Sequence, residues 1–172
     1  MIELRTPRLH LIAATSEVAR AEVSDRSALA RLLDARLPAD WPPPLNDDES
    51  ARFFLQHLAA HPSAVGWMIW YFVTVDESGG RIAIGNGGFK GPPSDRAVEI
   101  GYSIVPAYQR RGFATEGVRA LIAWAFSHDG VDRVVAQTLP ESGSSQALLH
   151  SLGFREMPQR KVGTLWFELE RP

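Results

Sequence analysis

The chain has 172 residues, 45% of them hydrophobic and 22% charged, and its 18 basic and 20 acidic side chains leave a net charge of −2. A chain of this length buries about 70% of its unfolded surface, and the composition is globular, which excludes a disordered chain and a broad basic face for nucleic acid. The absence of cysteine excludes disulfides, thiolate metal sites and a cysteine nucleophile.

The first residues carry scattered charge and no apolar block, so no secretory leader is expected. The longest apolar run, residues 65–75, falls short of the ~20 residues that cross a bilayer. A single cytoplasmic domain over residues 1–172, with no membrane or nucleic-acid partner, is the expectation. Leu9 and Leu11 alternating with His10 predict a strand, with Pro7 near its start or at a sheet edge. Helices are predicted over residues 16–23 and 26–37, the second with Leu29, Leu32, Leu33 and Leu37 on one stripe. Trp41-Pro42-Pro43-Pro44 forces an extended turn. Asn46 followed by Asp47, Asp48 and Glu49 marks a helix start, a cap and then carboxylates at the positive end of the dipole. Ala51, Phe54, Leu55 and Leu58 give that helix its buried face. The adjacent carboxylates read as capping chemistry, because consecutive helical residues do not converge on one point.

Residues 66–75 are aromatic and β-branched and predict a strand; 76–80 are turn chemistry, and 81–89 predict its partner. A turn over 91–95 leads to a further strand, 97–105. The period then changes: Val118, Leu121, Ile122, Ala125 and Phe126 form a helical face stopped by Gly130. A short buried strand over 133–137, a helix over 142–152 closed by Gly153, and an alternating strand over 163–169 complete a mixed α/β pattern with one strand–helix–strand unit. Trp67, Trp70, Tyr71 and Phe72 read as core, whereas Trp41, in a loop between helices, is a candidate wall for a substrate pocket.

Residues 98–115 run from strand to glycine-bearing basic loop to helix start. Unpaired N–H groups at such a helix start favour an anion, Gly112 permits close approach of the main chain, and Arg110 and Arg111 add fixed positive charge. A phosphate site and an ordinary loop with two solvated arginines both satisfy this pattern. The only lysines are Lys90 and Lys161, so no Walker loop exists, and Lys90 stands where a dinucleotide fingerprint over Gly85, Gly87 and Gly88 needs glycine. No histidine pair has metal-binding spacing, and no metal is expected.

Gln109-Arg110-Arg111-Gly112-Phe113-Ala114 resembles the acetyl-CoA loop of the GNAT N-acetyltransferase superfamily: Gln or Arg, any two residues, Gly, any residue, then Gly or Ala. Val98-Glu99-Ile100-Gly101-Tyr102 before the loop, Pro140-Glu141-Ser142-Gly143-Ser144-Ser145 and Leu152-Gly153-Phe154 after it, and the opening Leu4-Arg5-Thr6-Pro7-Arg8-Leu9 are similar to the RimJ/RimL-like branch. The resemblance covers essentially the whole chain. It implies a GNAT-like α/β fold, with a mixed central sheet of about seven strands, flanking helices and two parallel strands splayed apart. These would be the strand ending near Val105 and the strand 133–137.

It also implies acetyl transfer from acetyl-CoA to an amine, the acceptor being a small-molecule amine or a protein N-terminus. The pantetheine arm would pair with the backbone of Ile104 and Val105. The pyrophosphate would sit on Arg111, Gly112, Phe113, Ala114 and Thr115, behind Gln109 and Arg110. Ser142 stands where many relatives place an asparagine that holds the arm. Glu99 matches the family's acidic residue before Gly-Tyr and is the candidate base, directly or through water; an exposed strand position paired with an arginine is the other role open to it. Many relatives carry a tyrosine acid where this chain has Leu149. Ser145 could then assist the leaving thiolate or merely cap its helix. A non-catalytic acyl-CoA-binding domain is the alternative, and a homodimer is left open.

Overall fold

The structure, a computed structural model, describes residues 2–172, with 159–161 described at the backbone only. The N-terminal residues form a hairpin, β1 (Glu3–Arg5) and β2 (His10–Ala13), followed by α1 (Ser16–Ser24), α2 (Arg26–Leu33) and α3 (Asp48–Ala60). A meander follows: β3 (Ile69–Val75), β4 (Arg81–Phe89) and β5 (Ala97–Ile104). Then come α4 (Phe113–Phe126), β6 (Arg133–Thr138), α5 (Gly143–Ser151), β7 (Arg155–Lys161) and β8 (Thr164–Glu170). One open sheet holds eight strands in the order β1-β2-β3-β4-β5-β6-β8-β7, and β5–β6 is its parallel pair. The expected α/β class stands, with eight strands in place of about seven.

Local chemistry explains most element ends. The Thr15 hydroxyl caps α1, Asp25 caps α2 by accepting from the N–H of Ser27 and Ala28, and Asp47, rather than Asn46, caps α3 through the N–H of Ser50 at 2.8 Å. The bond to Ser50 holds the Asp47 carboxyl below the usual range. Helix α2 stops at Leu33, four residues before the predicted end, because Asp34 turns left-handed (φ 47°). The chain is then captured by β4, with the Arg36 N–H donating to the Arg81 carbonyl at 3.0 Å.

The sheet separates two helical layers, and alternation along β3 shows which is which. The Tyr71 hydroxyl reaches Glu22 on α1 at 2.9 Å. Phe72 faces the other way, where a Cβ placed on Gly117 of α4 would lie 2.5 Å from its ring. Trp70 and Phe89 pack on Trp124 of the same helix; Trp70, Tyr71 and Phe72 are core as expected, with Trp67 half-buried against them. Helix α5 lies on the α4 side, within reach of Tyr102. Among the described residues no helix is long and apolar enough to cross a membrane.

Candidate active site

The parallel pair comes apart. Strands β5 and β6 pair from Ala97 with Arg133 to Ile100 with Ala136 and no further, although β5 continues to Ile104 and β6 to Thr138. Which backbone groups line the opening follows from the register on the other side of β5. The Val105 N–H donates to the Ile84 carbonyl at 2.9 Å, and the Lys90 N–H to the Glu99 carbonyl at 3.0 Å. Odd-numbered residues of this segment therefore bond β4. Strict alternation then turns the backbone groups of Tyr102 and Ile104 toward the gap.

This corrects the expectation for Val105. Its N–H is held by Ile84 and its carbonyl accepts from the Tyr108 N–H at 3.0 Å, so it has nothing to offer a ligand strand. Ile104 does face the gap, but its carbonyl already accepts from Gln109 Nε2 at 2.8 Å. Gln109 thus ties the loop to the strand end.

Beyond the gap the chain makes a tight basic turn. Arg110 is left-handed (φ 56°), and Gly112, at the cap position of α4, has φ 81° and no side chain to satisfy the first-turn N–H groups. Phe113 is buried beneath the loop, with Ala114 and Thr115 half-buried in the same turn. The Arg111 guanidinium lies 5.2 Å from the Tyr108 ring centroid and 5.5 Å from that of Phe113. Arg8 crosses from the β1–β2 hairpin, lies 4.6 Å over the Phe113 ring and donates to the Arg111 carbonyl at 2.9 Å. It is locked there by Glu116, which also accepts from Thr6 Oγ1 at 2.6 Å and from the Arg8 N–H at 2.9 Å. Burial pushes the Glu116 carboxyl up, but the bonds from Thr6 and Arg8 outweigh it and hold the group below its usual range. Arg8 is therefore a third cation at this helix start. Its only signal in the sequence was the opening Leu4-Arg5-Thr6-Pro7-Arg8-Leu9.

A groove of about 460 Å³ runs over the gap, floored by β4 and β5 and walled by Gln137, Ser142 and Ser145 on one side and Phe54 on the other. Glu99 sits at the fork, one register step before the last β5–β6 pair. Its Oε1 accepts from Lys90 Nζ and from Gln137 Nε2, the latter at 2.8 Å, which leaves Oε2 without a protein partner among the described residues. Ser142 is the N-cap residue of α5 but makes no capping bond with its side chain. Ser145 lies inside that helix, so capping is not its role. Leu149 is buried. The Tyr102 hydroxyl reaches the Ser145 carbonyl at 3.5 Å, and burial holds its pKa above the usual phenol value against that weak bond. This groove-lining phenol was missed as a candidate, although it belongs to the Gly-Tyr pair beside Glu99.

Trp41 is not a pocket wall. It is 3% exposed, stacks on Tyr71 with ring centroids 6.1 Å apart, and donates its indole N–H to Glu22 Oε1 at 2.9 Å. Glu22 itself borders a second cavity of about 230 Å³ with Asp25, Arg26, Asp47 and Asp48. Burial raises its carboxyl pKa, opposed by the bonds from Trp41 and Tyr71 and the charge of Arg26. Asn46, Phe54, Ile69 and Asn86 line both cavities, and Asn86 Nδ2 donates to Asn46 Oδ1 at 2.9 Å, so the two adjoin.

An acetyltransferase (GNAT) domain model matches residues 4–155. The chain is 28% identical over 157 residues to YjdG, an uncharacterized N-acetyltransferase of Bacillus subtilis, covering 90% of each chain. It is 26% identical over 144 residues to YoaA of the same organism, covering 77% of this chain and 81% of that one. Among solved structures, a GNAT-family acetyltransferase from Bacillus anthracis superposes with a TM-score of 0.64 at 16% identity, with 98% of each chain covered. A ribosomal L7/L12 α-N-protein acetyltransferase, RimL, in complex with coenzyme A superposes with a TM-score of 0.65 at 17% identity, again over 98% of each chain. The split sheet, the uncapped basic helix start beside it and the family match together place this chain in the GNAT family of acetyltransferases.

Proposed function

We propose that the protein transfers an acetyl group from acetyl-CoA to a primary amine, a small molecule or a protein N-terminus, by direct attack. The observation that carries this reading is the opening of the sheet after Ile100 and Ala136, which leads straight to the uncapped, arginine-flanked start of α4. Those residues fit an acyl-CoA. An unpaired strand edge suits an amide-bearing arm, and the α4 N–H groups with Arg8, Arg110 and Arg111 suit a pyrophosphate. Edge pairing is assigned to Tyr102 and Ile104, and Ser142 faces the same groove from α5. Acetyl-CoA supplies an activated acetyl group and departs as a thiol.

An amine must lose its proton before it can attack. Glu99 Oε2 lies at the fork and is placed to receive that proton, directly or through one water, while Lys90 and Gln137 fix the carboxylate through Oε1. The Tyr102 N–H, turned to the gap and nearer Glu99 along β5, is the candidate donor to the acetyl oxygen as it gains charge, with the Ile104 N–H left to pair with the arm. The Tyr102 hydroxyl, kept protonated by burial, is the candidate proton source on the far side. Ser145 stands beside it and can share that role. The acidic residues around the second cavity, against the single Arg26, favour an ammonium-bearing acceptor approaching from the α1–α3 side. With no cysteine in the chain, an acetyl-cysteine intermediate is excluded, leaving direct attack as the simplest route.

The test is to incubate the protein with acetyl-CoA and a panel of primary amines and N-terminal peptides, following thiol release and the mass of the N-acetyl product. Turnover with at least one amine is expected. Tight acetyl-CoA binding with no acetylation of any acceptor would overturn the catalytic reading in favour of a binding domain.

A further inference from the structure

On the sheet face turned toward α1 and α3, side chains from β4 and β5 fall into rows about 7 Å apart. Asn86 stands opposite Ser103, Gly88 opposite Gly101, and Lys90 beside Glu99. The middle row is bare. The glycines of β4 and β5 are not equivalent; Gly88 and Gly101 lie on this face, Gly85 and Gly87 on the opposite one. Gly88 has φ 151°, and a Cβ there would lie 1.9 Å from the Met68 carbonyl oxygen; at Gly85 it would lie 2.3 Å from the Ser103 oxygen, and at Gly87 2.8 Å from the Phe72 ring. Each of these is required by the fold itself.

Gly101 is not. Its φ is not among the positive values, and a Cβ built on it meets no atom within 4 Å. A strand glycine without such a constraint weakens its strand by up to about 1 kcal/mol relative to a β-forming residue. Nothing among the described residues therefore accounts for the missing side chain, and the empty position opens into the groove beside Ser103, one row from Glu99.

We propose that Gly101 is the seat of the acceptor's amine-bearing carbon, so that the size of residue 101 sets which amines react. This rests on the acetyl-transfer reading and adds to it where the acceptor lies. The cofactor arm is assigned to the strand edge at Tyr102 and Ile104, whereas position 101 projects from the strand face that also carries Glu99, Ser103 and Asn86. The amine resting on Gly101 has Glu99 as its neighbour in the next row.

The experiment compares Gly101→Ala and Gly101→Val with wild type, using glycinamide and alaninamide, and n-butylamine and sec-butylamine, as paired acceptors. Both variants should melt at or above the wild-type temperature and bind acetyl-CoA with unchanged affinity. The kcat/KM should fall about tenfold or more for Gly101→Ala and further for Gly101→Val, the range expected when a pocket loses room for a methyl group. In Gly101→Ala the α-branched partner of each pair should lose more than the unbranched one, a signature that a general structural defect would not produce. Wild-type kcat/KM in Gly101→Val, loss of acetyl-CoA affinity in either variant, or failure of both to fold would each overturn the acceptor seat. A wild-type protein that acetylates no amine would overturn the transfer reading and the seat together.

Discussion

Replacing Gly112 with aspartate separates the helix-start anion site from a mere basic loop. Gly112 has φ 81° and ψ 0°, a left-handed conformation that costs a non-glycine residue roughly 1–2 kcal/mol and aspartate less than most. The added Cβ would lie 3.2 Å from Arg8 Nη2, a contact relieved by a shift of a few tenths of an ångström that keeps the Arg8 bonds to Glu116 and Arg111. The variant should therefore fold, with a melting temperature lowered by about 2–4 °C per kcal/mol. Its carboxylate, however, would occupy the proposed pyrophosphate seat. One unit charge about 5 Å from another at an effective dielectric constant of ~20 is worth roughly 3 kcal/mol, which corresponds to at least about a hundredfold in affinity. Calorimetry with coenzyme A should show that loss, and Gly112→Ala, which carries the strain without the charge, should lose much less. Raising the ionic strength should weaken wild-type binding and narrow the gap between the two proteins. A folded Gly112→Asp protein that binds coenzyme A as tightly as wild type would remove this loop from the site.

The other predictions address the chemistry and the scaffold. Glu99→Gln should lower kcat by about 10²–10⁴-fold, the usual worth of a positioned base, while acetyl-CoA affinity holds. An unchanged rate across pH would refute that role. Tyr102→Phe should slow turnover without altering the profile below pH ~10, because burial keeps the phenol protonated through that range; unchanged kcat would leave the proton source elsewhere. Glu116→Gln should cost roughly 1–2 kcal/mol in a thermal melt, allowing for the half-exposed Arg8 side chain. Since the folded Glu116 pKa is depressed, its contribution is full above the ordinary glutamate value of about 4.3 and is lost as pH falls through the lowered folded value. The difference between variant and wild type should thus shrink on acidification below about pH 4, and a pH-independent difference would contradict the ion-pair account.

Features set by neighbours in the chain were legible from the sequence. The glycine–arginine loop, the acid before Gly-Tyr and the start of α3 depend on residues a few positions apart, although Asp47 and not Asn46 caps that helix. What depended on distant partners was not legible. Ile104 and Val105 are adjacent and equally apolar; the one that faces the gap is decided by pairing with Ile84 and its neighbours on β4. Trp41 sits among prolines in a loop and reads as a pocket wall, but a carboxylate 19 residues away on α1 accepts its indole N–H and the ring packs inward on Tyr71. Arg8 joins the anion site through Arg111 and Glu116, more than a hundred residues along the chain. Strand β7 (Arg-Glu-Met-Pro-Gln-Arg-Lys) escaped prediction because it forms the sheet edge, pairs only with β8 and carries no apolar alternation.

The central claim is that the cofactor arm lies in the opening between β5 and β6 and pairs with the β5 edge. Residue-resolved amide hydrogen exchange, with and without acetyl-CoA, tests it most directly. Exchange should slow at Ile104 and Tyr102, whose N–H groups face the opening, and stay unchanged at Val105, already bonded to Ile84. Unchanged exchange at Ile104 and Tyr102 in a protein saturated with acetyl-CoA would contradict the account.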